Sequence, residues 1–236
     1  MIKVRKDAEI YEVEGGWFHA RWHFSFDQYR DPENTSFGTL RVFNDDRLVP
    51  GAIWPLHPHR DIEGLTYVME GTFRHADDLG GDYQLLPAGS AQRMTLGSGA
   101  WHSEQNASET EPMRFIQMWI IPRERGLPPS VEQKTFTKED RTDRWLRIIS
   151  GENDGSVLVH QDAQVYVSSL TPGTRLEHQF EPGTGGYFYL ISGGISLNDE
   201  KLATGDAAKI WDEPRIQVEV QEPSELIMVE VRLDRS

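Results

Sequence analysis

His57 and His59 are separated by one residue, and so are His102 and Glu104. Alternate side chains on a strand share a face, so each pair would aim two donor groups in one direction. Brought together by strand pairing, the two pairs offer three imidazoles and a carboxylate. That donor set suits one divalent transition metal: Fe(II) first, with Mn, Ni, Cu, Co or Zn as alternatives. Four protein ligands on an octahedral ion leave two positions open, which is a site for chemistry and not a structural staple. Each pair alone also has a plainer reading. His57-Pro-His59 could be a loop with one hydrogen-bonded core histidine, and His102-Ser-Glu104 could be loop chemistry after Gly97-Ser-Gly99.

Composition narrows the choice. The 236 residues contain no cysteine, which removes disulfides, thiolate-bound zinc, iron–sulfur clusters and a cysteine nucleophile. Any metal must be held by nitrogen and oxygen. The net charge of −14, with no long run of Lys or Arg, disfavours direct nucleic-acid binding, because that affinity comes mainly from cations on phosphates. The longest apolar stretch, Phe115 to Ile121, contains Gln117 and is far too short to cross a bilayer. No leader is legible in Met-Ile-Lys-Val-Arg-Lys-Asp, so a cytoplasmic monomer is the expectation.

The elements that must position the site read as strands. Leu65-Thr-Tyr-Val-Met69 precedes Glu70-Gly71, Tyr83-Gln-Leu-Leu86 precedes Pro87-Ala-Gly89, and Phe115 to Ile121 precedes Pro122. Such regular spacing between turn signals points to an all-β sandwich or barrel. Helical pattern is scarce; Thr137-Lys-Glu-Asp140, with a Thr N-cap and early acids, would start a short helix. Charged, proline-bearing residues from Arg123 to Arg144 read as an interdomain connection. Tyr67-Val-Met-Glu-Gly71 is echoed by Tyr189-Leu-Ile-Ser-Gly193, and Leu86-Pro-Ala-Gly89-Ser by Ala203-Thr-Gly205-Asp, each about 120 residues on. A duplicated β-barrel follows, with the division at 1–130 and 131–236.

The wider spacing carries a resemblance. Gly51, His57-x-His59, Glu63 and Gly71 are close to the first cupin motif; Gly81, Pro87-x-Gly89, His102 and Asn106 are close to the second, with an enlarged gap before His102. That gap, with Thr66-Tyr-Val-Met-Glu-Gly71, Met94-Thr-Leu-Gly-Ser-Gly99 and His102-Ser-Glu104, resembles the pirin family. So do Trp22-His-Phe-Ser-Phe26, Leu40-Arg-Val-Phe-Asn-Asp-Asp46 and Ile210-Trp-Asp-Glu213. The likeness covers most of the chain and is strongest to the bacterial branch with quercetin 2,3-dioxygenase activity.

The resemblance implies a bicupin of two double-stranded β-helix (jelly-roll) barrels with few short helices. Spacing alone leaves Glu63 and Glu104 both open as the carboxylate. The pirin likeness nominates Glu104 as ligand and catalytic base, and leaves Glu63 to orient a ligand imidazole. It also implies a flavonol and O2 as substrates, with ring opening and release of CO. Two rivals stand beside that reading: a non-catalytic, metal-dependent protein binding a protein partner, and another metal-dependent cupin isomerase or hydrolase. The second barrel, with only His178 near the matching position, is expected to be metal-free. His19 and His23 are expected in core packing, His75 at a solvated hairpin end, and Met94 as a possible pocket residue.

Overall fold

In the computed structural model, residues 1–81 and 83–233 are described. The strands in chain order are β1 (Ile2–Arg5), β2 (Tyr11–Glu14), β3 (Phe18–Trp22), β4 (Leu40–Leu48), β5 (Ile53–His59), β6 (Glu63–Glu70) and β7 (Thr72–Asp77). There follow β8 (Leu86–Pro87), β9 (Ser90–Thr95), β10 (Ala100–Asn106), β11 (Met113–Ile120), β12 (Ser130–Thr135), β13 (Leu146–Ser150) and β14 (Val157–Leu158). The last are β15 (Ala163–Leu170), β16 (Arg175–Gln179), β17 (Thr184–Leu197), β18 (Glu200–Ala203), β19 (Ala207–Ile210) and β20 (Arg215–Arg232). No helix among the described residues is long and apolar enough to cross a membrane.

Three sheets result. A seven-stranded sheet runs β12-β9-β6-β11-β4-β3-β2, and a four-stranded sheet runs β5-β10-β7-β8. A nine-stranded sheet follows the path β1-β19-β17-β20-β15-β13-β14, with β16 on β20 and β18 on β17. The architecture is the expected all-β one, and the sheets remain open instead of closing on themselves. The halves also exchange strands. β1 pairs with β19 of the nine-stranded sheet, and β12 pairs with β9 of the seven-stranded one. The segment Arg123–Arg144 is therefore only partly a connection, because β12 lies inside it as a sheet edge.

The duplication is visible in the pairing. β6 lies between β9 and β11, as β17 lies between β19 and β20. Gly71 and Gly193, the ends of the repeated strings, both have positive φ, at 78° and 99°. A Cβ at Gly71 would sit 2.5 Å from the Pro112 carbonyl, and one at Gly193 would sit 2.5 Å from the Pro223 carbonyl. Both turns therefore require glycine for conformation and for space.

The largest apolar core lies between the two large sheets, where Phe43, Tyr67 and Ile116 meet Ile149, Val165, Tyr187 and Ile227. Phe188, Ile216 and Val218 belong to a core inside the second half, and Val68, Phe73 and Phe115 to one inside the first. Burying each such side chain contributes about 1.5–3 kcal/mol. Thr137 Oγ1 accepts from Asp140 N at 3.2 Å, but Lys138 and not Thr137 is the N-cap, and only the single 3-10 turn Glu139–Arg141 follows.

Candidate metal centre and its cavity

β5 is an edge strand, which is why it tolerates Pro55 and Pro58, residues with no N–H for a second neighbour. It pairs antiparallel with β10, placing His57 opposite His102 and Ala100 opposite His59. A β-bulge then shifts the register, so Glu104 stands opposite Trp54. The bulge lets Trp54 and His57, three apart, turn toward one cavity together with His59 and Glu104.

One ligand atom each from His57, His59 and His102 lies within 4.8 Å of the others. Ring centroids are 4.5 Å apart for His57–His102, 4.8 Å for His57–His59 and 5.3 Å for His59–His102. His57 Nδ1–H donates to the Pro55 carbonyl at 2.7 Å, which fixes its tautomer and leaves Nε2 as the coordinating atom. His102 is buried, and its Nε2 has no hydrogen-bond partner. Burial, then the charge of His57, lowers the pKa of His59 to about 4. Burial and the neighbouring imidazoles lower that of His102 to about 2. Both rings thus keep their lone pairs at neutral pH. A tight group of three imidazoles with an orphaned buried nitrogen fits a divalent ion.

Glu104 is buried, and burial raises its pKa to about 7, opposed by a hydrogen bond from Gln117 Nε2 to Oε1 at 2.9 Å. Thr66 Oγ1 donates to Gln117 Oε1 at 2.9 Å, so the amide is oriented from behind. Glu63 is engaged elsewhere. Its Oε1 accepts from Thr95 Oγ1 and His160 Nδ1, each at 2.7 Å, and its Oε2 accepts from the His160 backbone N–H at 2.7 Å. The expected role in orienting a ligand imidazole is therefore corrected: Glu63 ties the first half to the second.

The cavity beside the histidines has a volume of about 890 Å³. Aromatic walls come from Phe18, Trp22, Phe26, Trp54 and Trp119, with Trp119 edge-on to His59 at 4.6 Å. The polar residues lining it include Asn44, Asp46, Glu104 and Gln117, along with Arg30 and Arg41. Asn44 and Asp46 were not singled out from the sequence. The available signal was the polar run Asn44-Asp-Asp46 following Val42-Phe43, in which Asn44 and Asp46 share a strand face.

Other residues take definite places. His23 is fully buried and shares a 2.8 Å hydrogen bond with the Tyr187 hydroxyl, as core packing predicts. His75 departs from expectation: it is buried, donates Nε2–H to Asp77 at 2.8 Å, and lies 5.8 Å from the His102 ring. The reason is pairing, since β7 lies inside the four-stranded sheet with His75 opposite Glu104. Met94 packs with Leu96 and Ala100 instead of lining the cavity. His19 departs from the core-packing expectation: it is part-exposed and pairs with the exposed acids Glu12 and Glu14 on the β2–β3 hairpin.

The equivalent positions in the second half can be read from register. β16 pairs with β20 so that His178 stands opposite Ile216, as His57 stands opposite His102. The positions matching His59, His102 and Glu104 then hold Phe180, Ile216 and Val218, all in the apolar core of that half. His178 itself donates to Glu230 at 2.8 Å.

The duplicated sheets and the His-x-His/His-x-Glu pairing define a bicupin protein with a three-histidine site. The chain belongs to the pirin family: residues 3–120 match the Pirin model and residues 132–231 match the quercetinase C-terminal cupin domain. It is 38% identical over 232 residues to the quercetin 2,3-dioxygenase of Escherichia coli K12, covering 98% of this chain and 99% of that one. It is 37% identical over 232 residues to a pirin-like protein of Caulobacter vibrioides, covering 98% of this chain and 99% of the other. The bacterial pirin YhhW from Escherichia coli, solved in complex with nickel(II), superposes with a TM-score of 0.92 at 36% identity, covering 99% and 100% of the two chains.

Proposed function

We propose that this pirin is a metal-dependent dioxygenase that opens the ring of a flavonol such as quercetin with O2 and releases CO. The observation that carries this reading is the three-histidine cluster opening onto a cavity of about 890 Å³ with flat aromatic walls. Ligand pockets run from about 300 to 1,000 Å³. His57, His59, His102 and Glu104 are the proposed metal ligands, with Fe(II) first among the candidates. The ion would supply Lewis acidity toward a coordinated hydroxyl and a meeting point for the substrate and O2.

The protein's own groups do the rest. Three neutral imidazoles and one carboxylate leave a divalent centre with a single positive charge, suited to one enolate-type anion. Glu104, on the cavity wall beside the histidines, is placed to take the proton from the substrate hydroxyl. Trp54 and Trp119 present faces and edges that hold a planar ring system and exclude water. The halves 1–130 and 131–236 divide the work: the first carries the site, and the second, with apolar residues at three of the four equivalent positions, is a metal-free support.

A second reading, a regulatory protein with a protein partner, draws on one observation. The outer side of β5 and β10 leaves Ile53, Leu56 and Trp101 about half exposed, at 50%, 54% and 46%. The two are separated by loading the protein with Fe, Mn, Ni, Co or Cu and following flavonol absorbance, oxygen uptake and CO release. Turnover with at least one metal is expected; none with any metal sinks the dioxygenase reading.

A further inference from the structure

We infer that Asn44 and Asp46 form a hydrogen-bonding rail that selects flavonols bearing ring hydroxyls beyond the group held at the histidines. This deepens the dioxygenase reading and rests on it for the identity of the substrate. Asn44, Asp45 and Asp46 alternate along β4. Asp45 faces away from the cavity and is fully engaged: Arg114 Nε donates to Oδ1 at 2.8 Å, and the Tyr189 hydroxyl to Oδ2 at 2.7 Å. Asn44 and Asp46 face the cavity, are 3% and 5% exposed, and each keeps a buried Oδ1 with no partner.

A buried acceptor left unpaired is destabilising, because it has given up water without a replacement donor. Two such acceptors on one strand, on the side of a large cavity, are accounted for by a ligand that brings donors. The same cavity is lined by Phe18, Trp22, Phe26, Trp54 and Trp119, which suit a flat ring carrying the donors on its edge. A phenolic hydroxyl fits best, because it both gives and takes a hydrogen bond. An ammonium group could only donate.

The test compares quercetin with 3-hydroxyflavone, which keeps the 3-hydroxyl and 4-carbonyl but lacks the other hydroxyls. Binding to metal-loaded protein is measured without oxygen by fluorescence quenching, and kcat/KM is measured with oxygen. Quercetin should bind at least about tenfold tighter to the unaltered protein, because a site built to pair a hydroxyl rejects the analogue without one. Asp46→Leu and Asn44→Leu, each checked for fold and metal content, should bring that ratio toward one; Asp46→Asn should keep part of it. Equal binding of the two compounds by the unaltered protein, an unchanged ratio in the Leu variants, or no binding of either would overturn the inference. Equal binding by the unaltered protein overturns the inference even where a Leu variant fails to fold, and the isosteric Asp46→Asn then tests the assignment. Selective binding without turnover counts against the dioxygenase reading alone.

Discussion

Gln117 Nε2 donates to Glu104 Oε1 at 2.9 Å, while the oxygen of the same amide is occupied by Thr66 Oγ1. A flip would turn the amide oxygen onto the carboxylate, and in the observed orientation the amide holds buried Glu104 toward its ionised form.

Replacing Gln117 by Leu should leave the fold intact and weaken metal retention by about 10–100-fold, the usual effect of removing a partner that orients a ligand. Competition with a chelator measures it. Unchanged affinity would mean that Glu104 does not bind the metal.

His102→Ala should abolish metal retention, read as metal content after dialysis. Glu63→Gln should behave in the opposite way. It disturbs three hydrogen bonds to Thr95 and His160 in a fully buried setting, so stability should fall by about 1–3 kcal/mol with metal content unchanged. Loss of metal in Glu63→Gln would return Glu63 to the site.

Burial lowers the His23 pKa to about 3 from an ordinary 6.5. The unfolded chain takes up that proton first as pH falls. The stabilisation is therefore complete above about pH 6.5 and is lost progressively toward about pH 3, at up to about 1.4 kcal/mol per pH unit. His23→Phe should flatten this part of the acid limb in urea titrations between pH 6.5 and 4. An unaltered slope would mean that His23 does not titrate as a buried neutral ring.

Tyr189→Phe removes the hydroxyl that reaches Asp45 across the two halves at 2.7 Å. Hydrogen bonds to charged groups contribute about 1.5–3 kcal/mol, so the midpoint should drop by several degrees while metal content holds. A change below half a degree would show that Arg114 alone satisfies Asp45.

Much was legible in local spacing. His57, His59, His102 and Glu104 stood out because a period of two is a property of any strand, whatever it pairs with. Glycine–strand–glycine strings exposed the duplication, since Gly71 and Gly193 mark turns that no other residue fits. The absence of cysteine limits the metal donors to nitrogen and oxygen, whatever the fold.

What the sequence could not determine depends on which strands meet. Glu63 and Glu104 are both acids near the histidines in the chain. Register sends Glu104 to the cavity wall and Glu63 to His160, roughly a hundred residues away in the chain. His75 looks like a hairpin residue until β10 covers it. The exchange of β1 and β12 between halves leaves no local mark, because a strand's hydrogen bonds are completed by partners far along the chain. The same reason hid Asn44 and Asp46: alternation tells which residues share a face, and only the packed sheets tell what that face meets.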